Sequence, residues 1–187
     1  MQILKDGPEI PEELLRAHED GDVVFFAGAG VSKPAGIPGF KGVVDQLYAQ
    51  LLVEPTREQK RAIKEHRYDV AINLLERWLP NGAEQVFDAL MAQMASGAPT
   101  GDAIATHKAL LTLGRNRSGQ TQLITTNFDR LFEAAIDDCS IAIQTYTAPL
   151  LPIPKNTLDG LVYLHGLLPE MGGSGRPQGL VLTSGDF

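Results

Sequence analysis

Four short clusters in this chain combine residue types that can hold an anion or move a proton. The first is Gly28-Ala29-Gly30 with Ser32, inside the stretch FFAGAGVSKPAGIPGF that runs from Phe25 to Phe40. Glycines let a backbone approach a pyrophosphate closely, free N–H groups can cradle its oxygens, and a serine hydroxyl adds a donor. The spacing is not G-x-G-x-x-G, and no Gly-Lys-Ser/Thr follows, so neither common phosphate-loop fingerprint is present. Alone, Gly-Ala-Gly also builds ordinary tight turns. Its continuation, PAGIPGF from Pro34 to Phe40, is too rigid and apolar for a plain solvent loop and could fold over a bound nucleotide.

The second cluster is Thr125-Thr126-Asn127-Phe128-Asp129. An asparagine amide can both donate to and accept from a sugar or a water. Asn127 could equally be a turn residue, and Asp129 a helix N-cap. The third is His165-Gly166, where the imidazole could serve as a general base. His18, His66 and His107 all fall in helical stretches and read as surface or packing residues. The fourth is Thr183-Ser184 near the end of the chain.

The elements that must position these clusters alternate between strand and helix. Asp22–Ala27 is an apolar run after a Gly-Asp turn, the pattern of a strand buried on both faces. Gln122–Thr126, Leu161–Leu164 and Leu180–Thr183 read as three more strands. Helices are expected at Pro11–Asp20, Val43–Leu52, Arg57–His66, Tyr68–Leu79, Ala83–Ser96, Ile104–Leu113 and Arg130–Ile136. The block from about 56 to 100 shows no strand and reads as a helical insertion. Thr145–Thr157, with three prolines, reads as irregular, and Gly172–Gly175 as a flexible loop. The class is therefore α/β, a Rossmann-like open parallel sheet within one domain spanning residues 1–187. Each polar cluster directly follows an expected strand, and in such a sheet the strand C-termini line the ligand crevice. Four clusters far apart in sequence would then converge. Only four strand candidates are visible, and the chain stops soon after the last, so the expectation is a fragment of a larger protein.

Composition narrows the function. The net charge is −7, which disfavours broad nucleic-acid binding. The nearest basic patch, Arg57 to Arg67, is interrupted by Glu58 and Glu65 and reads as a solvated helix face. One cysteine, Cys139, closes no internal disulfide and builds no Cys-rich zinc site, which fits a reducing cytoplasm. No apolar run is long enough for a membrane span.

Taken together, the motifs resemble the sirtuin fold group. GAGVSKPAGIPGF is similar to the sirtuin Gly-Ala-Gly, Ser, Gly-Ile-Pro and Phe signature. TTNFD is similar to Thr-Gln-Asn-Ile-Asp, and LHG to the strand that ends in the catalytic His-Gly. There are departures. Gly39 and Lys41 stand where the family has the Asp and Arg of Pro-Asp-Phe-Arg, and Thr126 stands where it has Gln. Glu170–Pro177 carries none of the four zinc cysteines, which counts against protein deacetylation. The departures, the insertion and the ending LVLTSGDF resemble the bacterial SIR2-like branch, whose members are typically NAD-depleting effector domains of antiphage defence proteins.

The resemblance implies an NAD hydrolase that takes NAD as substrate and needs no zinc or other metal. Gly28, Ala29, Gly30 and Ser32 would hold the pyrophosphate and neighbouring ribose, and Phe40 would cover the nicotinamide ribose. Asn127 would position the ribose or the attacking water, Asp129 would bind the nicotinamide amide, and His165 would act as general base. Thr183 and Ser184 would line the adenosine side. Further C-terminal domains, self-association and a phage-derived trigger are expected with it. The competing readings are a non-catalytic sensor of NAD or ADP-ribose and, behind it, an NAD-dependent deacylase or ADP-ribosyltransferase.

Overall fold

A computed structural model describes residues 7, 9–94, 100–152, 158–170, 173 and 175–186. Four strands form one sheet: β1 (Phe25–Ala27), β2 (Gln122–Thr125), β3 (Thr145–Thr147) and β4 (Gly160–Tyr163). Their order is β1-β2-β4-β3, and every pairing is parallel. The register sets Ala27 beside Thr125 and Thr125 beside Tyr163. The residues that follow those three positions therefore leave the sheet at one common edge. Thr125 ties the edge together, since its Oγ1 donates to Ala27 O at 3.0 Å while its own carbonyl accepts from Leu164 N at 2.9 Å.

Among the described residues there are seven α-helices: α1 (Glu12–Asp20), α2 (Phe40–Gln50), α3 (Arg57–Lys64), α4 (Tyr68–Trp78), α5 (Gly82–Met94), α6 (Ala105–Leu113) and α7 (Leu131–Cys139). Two 3-10 helices, Ala29–Ala35 and Gly101–Ile104, precede α2 and α6. The ends of α1 follow simple electrostatics: Glu12 and Glu13 occupy its first turn, and Gly21 closes it at φ 83°. A reciprocal capping box starts α3, with Thr56 Oγ1 accepting from Gln59 N and Gln59 Oε1 accepting from Thr56 N.

Apolar side chains gather in two cores. Alternation along the strands turns Ala27, Leu123, Leu161 and Tyr163 to one sheet face, where they pack with Ile104, Leu111 and Phe132. The second core belongs to α2–α5 and includes Val44, Leu47, Ile72, Leu75, Phe87 and Leu90. Leu168, Leu180 and Leu182 complete it, so residues of the expected block pack together with α2 and with the C-terminal segment.

Three expectations need correction. Leu180–Thr183 forms no strand. Leu180 and Leu182 instead enter the helical core at 3% and 4% exposure, so their apolar spacing reflects side-chain packing without a hydrogen-bonded ladder. The stretch expected to be irregular contains β3 at its start; its residues 153–157 lie outside those described, as do 95 and 96 of the expected fifth helix, and 172 and 174 of the expected glycine-rich loop. β1 is not buried on both faces, because Phe26 is 64% exposed on an edge strand with β2 as its one neighbour among the described strands. No helix among the described residues is long and apolar enough to cross a membrane.

Candidate functional site

The polar edge of the sheet opens onto a cleft of about 350 Å³, within the range of small-molecule sites. Ala29, Ser32, Phe40, Asn127, Asp129, His165 and Thr183 line it; Ser32, Asn127, Asp129 and His165 arrive there from the ends of β1, β2 and β4, while Thr183 arrives without a strand. Gly28, Gly30 and Ser184 are not among its lining residues. Ser184 is engaged elsewhere: its Oγ accepts from Asn73 Nδ2 on α4 at 3.1 Å.

Ser32 is the hub of the buried side. It is 1% exposed on the 3-10 helix after β1. Its hydroxyl donates to Asp129 Oδ2 at 2.7 Å and accepts from Asn127 Nδ2 at 2.9 Å. The other Asp129 oxygen, Oδ1, accepts from Leu131 N at 3.1 Å at the start of α7. Asp129 therefore ties the start of α7 to Ser32, while the N-cap position of that helix falls on Arg130. The backbone of Asn127 is fixed too, its N–H donating to Thr125 Oγ1 at 3.0 Å. Asn127 and Asp129 are 5% and 6% exposed, and both line the cleft.

His165 lies in the turn after β4, half-buried. Its carbonyl accepts from Val181 N at 2.9 Å, which anchors the C-terminal loop against it. Gly166 makes this close approach possible: its φ is 77°, and a Cβ there would stand 2.7 Å from Gly179 O. Gly28 and Gly30 are different. Neither has a positive φ; a Cβ at Gly28 would meet only Thr126 Oγ1 at 3.9 Å, and one at Gly30 nothing within 4 Å. Neither backbone strain nor packing within the chain calls for glycine there, and the open space above both fits the close approach of an anionic group.

The cleft's opposite wall comes from the helical unit. His66, Tyr68 and Asp69 line it, with His66 Nδ1 2.8 Å from Tyr68 Oη and Phe40 edge-on to Tyr68 at 5.9 Å. Sequence reasoning missed this wall, and nothing in the spacing of those residues pointed to it. It also left His107 as a surface or packing residue. His107 is fully buried beside Ser32, its Nε2 3.5 Å from Ser32 Oγ. A signal existed, because Ile104 and Leu111 lie three before and four after it on the buried face of the same helical stretch. Burial lowers the pKa of His107, and the nearby Asp129 partly opposes that. Tyr163, beneath the site, is raised by burial and by the adjacent Glu133. Among the described residues no group of three or more His, Cys, Asp or Glu is placed to hold a metal.

Sheet, crossovers and crevice define an α/β domain of Rossmann type. Comparison with known proteins carries this further. Residues 121–187 match the family described as SIR2-like domain. That stretch holds β2, β3 and β4 with Asn127, Asp129 and His165, and it excludes the Gly28–Ser32 loop. The chain is also 34% identical, over 192 aligned positions, to the uncharacterized protein y4cA of Sinorhizobium fredii (strain NBRC 101917 / NGR234). The alignment covers 100% of this chain but spans 16% of that relative's length.

Proposed function

We propose that this domain binds NAD and hydrolyses its nicotinamide–ribose bond. The observation that carries the reading is the meeting of Ser32, Asn127, Asp129 and His165 in one cleft from three separate strand ends, with Asn127, Asp129 and His165 inside the SIR2-like match. The glycine loop would take the pyrophosphate, Phe40 would cover the nicotinamide ribose, and Asp129 would face the carboxamide.

Cleavage passes through an oxocarbenium-like state. The bonding pair leaves with the pyridinium nitrogen, which becomes neutral nicotinamide. Water adds to the anomeric carbon, gives its proton to His165, and leaves ADP-ribose. The leaving group is already good, so orientation and a held water matter more than a strong acid. Asn127 suits that task because its amide is pinned at Ser32. Such a domain would act in a bacterial defence protein by depleting NAD, within a longer self-associating chain held inactive until triggered. A full-length protein that is monomeric and active without a trigger would count against that regulatory part.

The test is nicotinamide release from NAD by the full-length protein, run beside Asn127→Ala and His165→Ala. Each substitution should lower turnover by about a hundredfold or more, the scale for removing a positioned catalytic group. No release under any condition, with ADP-ribose still binding, would replace the hydrolase by a sensor.

A further inference from the structure

The donors and acceptors around Ser32 can be counted to completion. A serine hydroxyl has one hydrogen and two lone pairs. The hydrogen goes to the Asp129 carboxylate, an acceptor, at 2.7 Å. One lone pair receives Asn127 Nδ2 at 2.9 Å. The third neighbour, His107 Nε2 at 3.5 Å, faces an oxygen whose hydrogen is already committed, so that nitrogen must bring its own. The neutral ring then carries its proton on Nε2 and leaves Nδ1 bare. The rest of the pocket agrees. His107 Nδ1 is buried with no hydrogen-bond partner, and the ring stands edge-on to Phe132 at 4.7 Å. The opposite tautomer would leave Nδ1–H unpaired and also set a bare Nε2 against an oxygen with no hydrogen left to give, so it loses one more contact.

We infer that His107 is a positioning residue for Asn127, donating from Nε2 to Ser32 and so fixing which way the Asn127 amide faces. The inference rests on the hydrolase reading and deepens it. With Nδ2 held by Ser32, the amide oxygen Oδ1 takes no hydrogen bond from any described residue and is the atom left to address the cleft. It is an acceptor, suited to the O–H of a ribose or of the attacking water. If His107 no longer filled the second lone pair, the Ser32 hydroxyl could turn away from Asp129 and the amide could flip, presenting a donor where an acceptor is needed. The 3.5 Å contact is the longest of the three at Ser32, so its removal should reduce turnover without abolishing it.

The experiment has two independent readouts. Long-range ¹H–¹⁵N spectra of the imidazoles should show His107 neutral and Nε2-protonated at pH 7, with that tautomer's share falling in Ser32→Ala. Steady-state nicotinamide release should show kcat about tenfold lower in His107→Leu, with KM within about twofold. His107→Gln, whose amide N–H can reach the same oxygen, should recover most of the loss. Tautomer Nδ1–H, an imidazolium at pH 7, or a spectrum indifferent to Ser32→Ala would overturn the inference. So would Leu and Gln variants of equal rate, fast or slow, since a space-filling role would not tell them apart. If the wild type releases no nicotinamide, the hydrolase reading fails, while the spectra still decide whether His107 serves Ser32. Should His107→Leu fail to fold, the spectra and His107→Gln remain decisive.

Discussion

The two walls of the cleft are built on opposite plans. On the sheet side, buried polar groups are joined through one oxygen: Ser32 meets Asp129, Asn127 and His107 within 3.5 Å. On the helical side, α2–α5 pack a continuous apolar core, and His66, Tyr68 and Asp69 face the cleft beside it. The sheet wall uses buried hydrogen bonds to fix orientation, which is costly unless each is satisfied. The helical wall uses apolar burial, which stabilises without fixing the direction of any polar atom. Chemistry needing a defined acceptor belongs on the first wall; shape and closure can come from the second.

Breaking the helical wall gives the largest expected change in stability. Phe87 is 2% exposed in the middle of that core. Phe87→Ala should cost about 3–5 kcal/mol, read as a lowered denaturant midpoint, while turnover per folded molecule stays near wild type. Asn127→Ala should do the reverse, losing activity with a far smaller change in midpoint. If Phe87→Ala slowed the chemistry as strongly as it lowered stability, the division between the walls would fail, with the Phe40–Tyr68 contact as the obvious route of coupling.

A smaller effect is expected where the C-terminal loop joins the helical wall. Arg176 bridges Glu76 on α4, at 2.9 Å, and Asp186. Asp186 Oδ2 in turn accepts from Leu182 N at 2.9 Å and Thr183 N at 2.7 Å. All three charged side chains are 12–22% exposed, so solvent screens them only partly. Arg176→Met keeps the apolar stem but leaves two carboxylates without their cation. It should cost about 2 kcal/mol, below the range for a fully buried pair. Faster amide exchange at Leu182 and Thr183 is the specific readout. Exchange there unchanged, with stability lowered elsewhere, would show that apolar packing of Leu180 and Leu182 alone seats the loop.

The sheet wall was more legible in the sequence than the helical one, and the reason is geometric. Parallel strands deliver whatever follows them to a single edge, so Ser32, Asn127 and His165 could be assembled from their positions after apolar runs. No comparable rule says which face of a helical unit will meet that edge, and His66, Tyr68 and Asp69 went unseen. The run at Leu180–Leu182 has strand-like apolar spacing, but burial against α2–α5 satisfies it as well as a ladder would. β3 escaped because Thr145-Tyr146-Thr147 offers three residues, no apolar run and a proline two positions on. His107 shows the limit of reading residue type before position, since its helical spacing placed it inside even though histidine is more often found outside.

The smallest predicted effect separates the walls by pH. Burial holds the pKa of His107 below its ordinary value near 6.5, despite Asp129. Above that value both folded and unfolded chains carry a neutral ring, and the group makes no difference. As pH falls below about 6.5 the unfolded chain takes up a proton that the folded chain refuses. Stability is therefore lost on the acid side, down to the depressed folded pKa, with a limiting slope of about 1.4 kcal/mol per pH unit. His107→Gln cannot titrate and should lack this component. Urea midpoints of the two proteins, compared at pH 7.5 and pH 5.5, should converge as the pH is lowered, by about 1 kcal/mol or less in ΔG. A gap that instead widened toward low pH would mean that the folded state stabilises the imidazolium. Asp129 would then outweigh desolvation, and His107 would be acting as the charged partner of that carboxylate, with no bare Nδ1 and no need for a neutral ring at Ser32.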